Sequence, residues 1–470
     1  MTAKTTKVDV AVIGAGPGGY VAAIKAAQLK KSVVLVERDQ LGGTCLNTGC
    51  IPSKALLDST HLLYRMQHEA AEHGISVAGA TIDYAKLQAR RKKMVDLSTR
   101  GVKSLIQPLG IQHIKGHGRF AGSQSIEVES EEGATRIEAA DIIIATGSTV
   151  TMLPHIKVDG THIITSTEAL ELSEVPKSMG IIGGGFIGLE IGSVFSRLGC
   201  KVTVIEMMES ILPGLDADIC QGSEKLLKKQ GLEILTRHKV SAAKVSNGVV
   251  ELTAESEGQS KSFQFEKLLV AVGRKPFSDG LGIEKVGLAT RRDGSLEVDA
   301  QLRTSVPHIY AIGDIVGGKL LAHKASHEGI VAAEAIAGHK SKMDYRSIPF
   351  CVFIEPEIGV AGLSEKEAVD AGHKVRVGRF PFRASGKARC LGEVEGFVKI
   401  IGDADSDRVL GIHILGPHAA DMIAEGGLAI AFDASLEDIG LTVHVHPTLA
   451  ECLMEAALHA RGEAIHIPNK

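Results

Sequence analysis

The sequence predicts an α/β fold built around two similar strand–helix–strand units. The first has a strand-like run over 8–13, a glycine-rich turn over 14–19, a helical stretch to about Lys30 and a second strand that ends before Glu37. The second repeats this order around the turn 183–188 and ends at Glu206. In both units the acidic residue follows the first glycine by 23 positions. The repeat predicts two Rossmann-like dinucleotide-binding domains.

The glycines of each turn have separate physical tasks. Gly14 and Gly16 allow a tight turn and the close approach of a pyrophosphate, and Gly19 lets the helix pack on the strand. The helix N-terminus then attracts the phosphate charge. Glu37 would accept hydrogen bonds from a ribose. The equivalent residues of the second turn are Gly183, Gly185 and Gly188.

Glu206 indicates which nucleotide the second unit binds. A carboxylate suits a free ribose 2′-hydroxyl and repels a 2′-phosphate, and residues 207–210 supply no arginine that could pair with a phosphate. The sequence therefore favours NAD over NADP. The alternative is that Glu206 is only a solvated strand end.

Composition narrows the class of protein. A length of 470 residues suggests three or four domains, and 44% hydrophobic with 23% charged residues is typical of an ordered globular chain. A net charge of −4 favours small-molecule partners over nucleic acid or membrane. Without a long apolar stretch or a signal-peptide pattern, the sequence predicts a protein of the bacterial cytoplasm, with the mitochondrial matrix as an alternative for a mature form.

One close pair of cysteines, Cys45 and Cys50, stands apart from five widely spaced ones. On an ideal helix residues five apart have Cα atoms roughly 8 to 9 Å apart, which exceeds the roughly 7 Å limit for a disulfide. If the pair bridges, the turn must depart from a helix, and Gly49 is best able to allow this. A helix N-terminus would favour a reactive thiolate. The alternative is two buried, unpaired cysteines.

The segment 42–54 resembles the redox-active site of the pyridine nucleotide disulfide oxidoreductases. The resemblance extends over nearly the whole chain, and it implies FAD and NAD as cofactors and predicts no metal site. Further elements that carry it are Ala145–Ser148, Gly188–Glu190, Ala271–Pro276 and Ile309–Asp314.

The resemblance also implies roles for single residues. It places Asp314 on the flavin ribityl chain and directs the start of the next helix, at Leu321 and Ala322, to the flavin pyrimidine edge. It places Lys54 beside the flavin N5 and pairs it with Glu190. The remaining expected cofactor contacts are Thr146, Gly147, Ile187 and Gly273.

A base is needed near the cysteines, because the thiolate is the nucleophile and a substrate dithiol is mostly protonated at neutral pH. The motif 444–451 ends in Glu451 and contains His446, and a carboxylate can fix the tautomer of a histidine. The residues alone leave open a T-x-x-E capping box from Thr448 to Glu451. The resemblance favours His446 with Glu451 as the catalytic pair, and His444 is expected to be structural.

These observations predict four domains. Residues 1–148 form an FAD-binding domain, 149–277 an NAD-binding domain, 278–347 a central domain that completes the FAD site, and 348–470 an α+β dimerisation domain. The resemblance implies a homodimer with active sites shared between subunits.

The resemblance implies that the chain oxidises dihydrolipoamide carried on a lipoyl domain and reduces NAD to NADH, as a component of a 2-oxoacid dehydrogenase or glycine cleavage complex. The alternatives are another disulfide reductase of the family, such as one acting on glutathione, and a non-catalytic redox sensor that binds both nucleotides. The lack of arginine after Glu206 argues against the first, because those reductases use NADP. The presence of both cysteines, His446 and Glu451 argues against the second.

Overall fold

A computed structural model describes residues 4–131 and 133–469 of the chain. They form two compact units, each assembled from separate stretches of sequence. The first contains the described residues of 1–55, 88–151 and 273–343, and the second those of 56–87, 152–272 and 344–470. The four domain boundaries expected from the sequence stay predictions.

The first unit is built on a largely parallel sheet with the strand order β3-β2-β1-β6-β5-β4 and with β17 beside β6. Only β4 and β5 run antiparallel to their neighbours. Strand β2 is an apolar run because its residues are buried on both faces. The strands are β1 Lys4–Ile13, β2 Val33–Glu37, β3 Gln112–Lys115, β4 His117–Gly122, β5 Ser125–Ser130, β6 Gly133–Ile144 and β17 Ile309–Ala311. A separate two-stranded ribbon pairs β7 Ser148–Val150 with β16 Arg274–Pro276.

The helices near the first glycine turn differ slightly from the sequence expectation. The first was expected to reach about Lys30 but ends at Gln28, because Lys30 has a left-handed φ of +67° that no helix continues. The helix expected from Ala55 begins earlier, at Cys50. The helices of the first unit are α1 Pro17–Gln28, α2 Gly43–Thr48 and α8 Ala322–Ile336. Helices α3 Cys50–His68 and α4 Tyr84–Ile106 each contain residues of both units.

The second unit contains the second nucleotide-binding sheet, which is wholly parallel in the order β11-β10-β9-β15-β8. Its strands are β8 Ile163–Ile164, β9 Ser178–Ile182, β10 Lys201–Ile205, β11 Glu233–Leu235 and β15 Lys267–Val270. Its helices are α5 Ser166–Leu170, α6 Phe186–Arg197 and α7 Ala217–Lys229. An antiparallel meander of β12 Lys239–Ser246, β13 Val249–Ser256 and β14 Gln259–Phe265 completes this part.

The C-terminal part of the second unit is an antiparallel sheet in the order β18-β19-β22-β21-β20, with helices packed on it. Helix α13 approaches β20 closely, because a Cβ on Gly378 would lie 1.9 Å from the Ala456 carbonyl oxygen. The strands are β18 Phe350–Val352, β19 Glu357–Gly362, β20 Val375–Pro381, β21 Phe397–Asp403 and β22 Val409–Gly416. The helices are α9 Glu365–Asp370, α10 Gly386–Leu391, α11 Ala419–Ala431, α12 Leu436–Leu441 and α13 Glu451–Arg461.

Within the second unit, the nucleotide-binding sheet and the C-terminal sheet share one hydrophobic core. Val204 and Leu189 belong to the same buried cluster as Val352 and Ile358. In the described ranges no helix is both long enough and apolar enough to cross a bilayer. The predicted α/β fold with an α+β end is confirmed.

Candidate active site

The first glycine turn, between β1 and α1, has the geometry that a dinucleotide requires. Gly14 has a φ of +102°, and a Cβ there would lie 2.3 Å from the Ala145 carbonyl oxygen. A Cβ on Gly19 would lie 1.8 Å from the Gly14 oxygen, so the helix could not pack at its present distance. A Cβ on Gly16 would meet nothing within 4 Å, and the N-terminus of α1 has no side-chain cap. The backbone at Gly16 is therefore open to a phosphate.

The second glycine turn repeats this geometry residue for residue. Gly183 has a φ of +106°, and its Cβ would lie 2.5 Å from the Ala271 oxygen. A Cβ on Gly188 would lie 2.4 Å from the Gly183 oxygen, whereas one on Gly185 would meet nothing within 4 Å. The half-buried Ile187 lies in the first turn of α6, directly after this opening. Both turns therefore fit the pyrophosphate group of a dinucleotide.

Glu37, the last residue of β2, holds the first turn in place. One carboxylate oxygen accepts the Ala15 N–H at 2.7 Å and the other accepts the Asp39 N–H at 2.9 Å. A carboxylate offers about four acceptor positions, so both oxygens retain capacity for a ribose hydroxyl. Sequence analysis had assigned Glu37 to the ribose alone and missed its bonds to the turn.

Glu206 makes the same pair of bonds in the second turn, to the N–H groups of Gly184 at 2.6 Å and Met208 at 2.7 Å. Sequence analysis found no arginine directly after Glu206, but the fold brings one close. The Arg237 N–H donates to the Met208 carbonyl, and its guanidinium lies 3.2 Å from the carboxylate of Glu209. The positive charge of Arg237 is thus paired with Glu209 in this structure.

Several expected FAD contacts lie together in the first unit. The Thr146 hydroxyl donates to the Phe277 carbonyl at 2.6 Å, and Gly147 has a φ of +71°. The next residue, Ser148, donates its hydroxyl hydrogen bond to the carboxylate of Asp314. Asp314 is therefore anchored to the segment that follows β6.

Arg274 and Gly273 complete this arrangement. The Arg274 guanidinium donates to the hydroxyl and the carbonyl of Ser148, each at 2.8 Å. The Gly273 carbonyl accepts the Thr151 N–H at 3.0 Å, and a φ of +114° explains why a glycine stands there. Arg274 lies in the motif Ala271–Pro276, but the sequence predicted no function for this arginine.

The two cysteines stand on either side of a break between two helices. Cys45 lies in α2 and Cys50 is the first residue of α3. Gly49 separates them with φ −139° and ψ −111°, and a Cβ there would lie 2.9 Å from the Thr44 oxygen. The chain departs from helix at Gly49, the residue at which the sequence places such a departure if the cysteines bridge. The two Sγ atoms lie 2.6 Å apart.

The pair divides its charge unequally. The hydrogen bond with Cys50, together with burial, raises the pKa of the Cys45 thiol far above its usual value, although the nearby charge of Lys54 opposes this. Cys50 lies at the N-terminus of α3, where the helix favours a negative sulfur. Burial and the hydrogen bond with Cys50 therefore disfavour a thiolate on Cys45, whereas the helix N-terminus favours one on Cys50.

The expected partners of the flavin N5 each have a defined local setting. Lys54 follows Cys50 by one turn of α3, which places both on the same face of the helix. Glu190 on α6 is buried, and its carboxylate accepts the Phe353 N–H at 3.0 Å. The pairing of Lys54 with Glu190 stays a prediction. The bond to Phe353 was not foreseen.

His446 and Glu451 lie together at the start of α13. The Nδ1 atom of His446 lies 2.9 Å from one carboxylate oxygen of Glu451, and the imidazole is largely exposed. Burial opposes ionisation, yet hydrogen bonds from the Thr448 N–H and from His446 hold the pKa of Glu451 below its usual value. An ionised Glu451 can only accept, so the proton lies on Nδ1 and the Nε2 atom is free to act as a base.

Of the two hydrogen bonds that define a capping box, only the one from the Thr448 N–H to Glu451 is present. The second oxygen of Glu451 accepts the Thr448 N–H at 2.8 Å, as in such a box. The Thr448 hydroxyl, however, donates to the Val445 carbonyl, and α13 begins after Ala450 with no side-chain cap. Glu451 therefore holds both the loop and the histidine.

His444 has partners of its own. Its Nε2 atom lies 2.9 Å from the carboxylate of Glu425, and its Nδ1 atom lies 2.8 Å from the Thr442 carbonyl. The hydrogen bond with Glu425 raises the pKa of His444 above its usual value. These contacts support the expectation that His444 is structural.

Exposed apolar side chains lie on the segments that precede His446 in this chain. The alternation in 443–446 places valine beside histidine, but the sequence did not predict this exposure. Exposed apolar side chains of this size are typical of an interaction surface. The exposed residues are Leu428, Phe432, Leu441, Val443 and Val445.

Two family descriptions match the chain. Residues 8–329 match the pyridine nucleotide-disulphide oxidoreductase family, and residues 348–457 match the dimerisation domain of the same family. The chain is 45% identical to a dihydrolipoyl dehydrogenase of Geobacillus stearothermophilus, with 98% of each chain covered. It is 42% identical to the mitochondrial dihydrolipoyl dehydrogenase of Pisum sativum, covering 98% of this chain and 92% of the relative. The solved structure of LpdA from Mycobacterium tuberculosis superposes with a TM-score of 0.90 at 27% identity, covering 96% of this chain and 99% of the other.

Proposed function

Because this chain belongs to the pyridine nucleotide-disulphide oxidoreductase family, we propose that it oxidises dihydrolipoamide to lipoamide and reduces NAD⁺ to NADH. The observation that carries the proposal is the identity of more than 40%, over nearly full length, to proteins named dihydrolipoyl dehydrogenase. The cysteine pair and the histidine–glutamate pair supply the chemistry that this reaction needs.

FAD and NAD are the cofactors. The two glycine turns fit them, since each leaves its middle glycine open and its helix N-terminus uncapped. Residues that would hold FAD are Gly16, Glu37 and Asp314, and those that would hold NAD are Gly185 and Glu206. When bound, FAD accepts two electrons from the cysteine pair and passes a hydride to the nicotinamide of NAD⁺.

His446 starts the thiol chemistry by accepting the proton of one substrate thiol at Nε2, while Glu451 retains the Nδ1 proton. The substrate thiolate attacks Cys45 of the oxidised pair, the Cys45–Cys50 bond breaks, and Cys50 leaves as a thiolate. The second substrate sulfur then attacks the first, the bond between the first sulfur and Cys45 breaks, and the product leaves as a cyclic disulfide. Cys45 departs with the electron pair of that bond and takes up the proton of the second substrate thiol. The substrate loses two electrons and the cysteine pair gains them.

The dimerisation domain supports a homodimer. We propose that His446 serves the cysteine pair of the partner subunit, and the exposed valines before it, Val443 and Val445, support this because a subunit interface would bury them. The test mixes Cys45→Ser and His446→Gln subunits, refolds them together and verifies the heterodimer with a tag on each. A shared site restores one intact active site and therefore activity. A verified heterodimer without activity would show that each site is built from one chain.

We also propose that this chain carries out the same reaction as part of a multienzyme complex. The substrate dithiol would be carried on a lipoyl domain of a 2-oxoacid dehydrogenase or glycine cleavage complex. Faster turnover of a reduced lipoyl domain than of free dihydrolipoamide at equal concentration would support this, and equal rates would contradict it.

One assay tests the main proposal against the alternatives. Purified protein receives dihydrolipoamide with NAD⁺ or NADP⁺ or, in separate reactions, the rival substrate oxidised glutathione with NADH or NADPH, and the absorbance of the reduced nucleotide is followed. Turnover with dihydrolipoamide and NAD⁺ is expected. Equal or faster turnover with NADP⁺ would contradict the cofactor assignment. Absence of turnover with either substrate would favour the redox sensor.

A further inference from the structure

Helix α8 carries a buried ion pair whose position local helix energetics do not explain. The Nζ atom of Lys324 lies 3.2 Å from a carboxylate oxygen of Glu328, and the two side chains are 3% and 0% exposed. Lysine in the first turn opposes the helix dipole, and lysine four residues before glutamate is the weaker order for such a pair. A buried ion pair also adds little net stability, because desolvation offsets its attraction.

The pair instead binds both backbone polar groups of one residue outside the helix. A Glu328 oxygen accepts the Gly313 N–H at 2.7 Å, and the Lys324 ammonium group donates to the Gly313 carbonyl at 3.1 Å. Gly313 has a φ of +77°, so its backbone is held in a conformation that few other residues adopt. The ion pair therefore fixes the orientation of the peptide groups on both sides of Gly313.

Helix α8 is itself held firmly against α1. A Cβ on Gly329 would lie 2.6 Å from the Gly18 carbonyl oxygen, so the two helices are in backbone contact. Gly18 belongs to the first turn of α1 and to the glycine-rich turn 14–19. The helix that carries the ion pair therefore packs against α1, whose N-terminus would face the pyrophosphate.

The residue after Gly313 is Asp314, the expected partner of the flavin ribityl chain. Its carboxylate accepts from the Ser148 hydroxyl, and Ser148 is held in turn by Arg274. The carboxylate is therefore positioned from one side by the Ser148 contact and from the other by its backbone. The ion pair holds the N–H and the carbonyl of Gly313 itself, while the Ile312 N–H donates to the Ile144 carbonyl at 2.9 Å and the Asp314 carbonyl accepts the Gly317 N–H at 3.0 Å.

We propose that Lys324 and Glu328 are positioning residues that aim Asp314 at the ribityl hydroxyl groups of FAD. The proposal rests on the proposed function, since it takes FAD as the ligand of the first unit. We assign neither residue a direct contact with the flavin. Both act through the Gly313 peptide groups.

A double-mutant cycle tests the proposal by titrating FAD into apoprotein and following the quenching of flavin fluorescence. Glu328→Ala is expected to weaken FAD binding about tenfold, the factor that corresponds to roughly 1.4 kcal/mol of lost alignment. In the Asp314→Asn background, where no carboxylate remains to be aimed, the same substitution should cost less than threefold. A cost of the same factor in both backgrounds would refute positioning and leave a general structural role.

Two further variants keep the test decisive. Glu328→Gln retains an acceptor for the Gly313 N–H and should recover most of the affinity, and Lys324→Met repeats the cycle if Glu328→Ala does not fold. The matched control is Glu334→Ala, which removes another α8 glutamate that pairs with Lys25 of α1 at 2.8 Å but does not contact Gly313. It should leave FAD affinity within about twofold.

Failure of the inference is separable from failure of the proposed function. If wild-type protein binds no FAD, or Asp314→Asn binds it normally, the assignment of the FAD site itself is wrong. If Asp314→Asn weakens binding while Glu328→Ala adds an independent factor, only the positioning role is wrong.

Discussion

Replacing Glu451 should lower kcat for thiol oxidation, and the loss should depend on whether the new side chain places an amide group beside His446. Its two oxygens are shared between the His446 Nδ1 atom at 2.9 Å and the Thr448 N–H at 2.8 Å. In Glu451→Gln the single acceptor oxygen is expected to stay with Thr448, so the amide NH₂ group would face Nδ1. Nδ1 must then accept, the proton moves to Nε2, and the base is lost.

The magnitude follows from the bond that is removed. A hydrogen bond to a charged group contributes about 1.5 to 3 kcal/mol, so Glu451→Ala should lower kcat about 10- to 150-fold. The glutamine variant loses the bond and also holds the wrong tautomer. In serine protease triads the equivalent swap costs about 10,000-fold. We therefore expect Glu451→Gln to be less active than Glu451→Ala.

The assay compares kcat for dihydrolipoamide and NAD⁺ with the rate of NADH oxidation by ferricyanide. The second reaction bypasses substrate deprotonation and should keep its rate in both variants. Glu425→Gln is the matched control, because it changes the neighbouring histidine–glutamate pair at the same 2.9 Å distance. Its kcat should stay within about twofold of wild type. A Glu451→Gln enzyme with half the wild-type kcat, or one that loses ferricyanide reduction equally, would refute the reasoning.

Three further predictions follow from other contacts. Cys45→Ser should abolish turnover and retain a long-wavelength thiolate-to-flavin absorbance, whereas Cys50→Ser should lose that band, and the reverse spectra would exchange their roles. Glu209→Gln removes the ion-pair partner of Arg237, so that the arginine can pair with the 2′-phosphate of NADP⁺. The ratio of kcat/KM for NADP⁺ to that for NAD⁺ should rise about two- to fivefold, because an exposed ion pair contributes up to about 1 kcal/mol. An unchanged ratio would contradict this. Burial raises the pKa of Glu355 to about 8, so this carboxyl contributes stability that is present below its usual pKa and is lost as pH rises toward 8. Glu355→Gln should therefore gain about 3 kcal/mol over wild type between pH 5 and 8 in urea unfolding, and a pH-independent difference would disprove the assignment.

Much of the site could be predicted because its motifs are local. The glycine turns, the cysteine pair and the His446–Glu451 motif each lie within a few residues, and covalent spacing alone brings such groups together. The need for glycine at 14 and at 49 also follows from short-range backbone geometry, and the structure agrees at both positions. Element ends were less accurate, because Lys30 and Cys50 occupy positions that local propensity does not distinguish.

By itself, then, the sequence determined the fold class, the two nucleotide sites and the reactive thiols. Only the tertiary structure decided which distant groups support them. Ser148 meets Asp314 across 166 positions, and Arg274 meets Ser148 across 126. Arg237 reaches the loop after Glu206 in the same manner. Such contacts depend on how sheets and helices pack, and packing is set by the sum of many apolar contacts rather than by any short pattern.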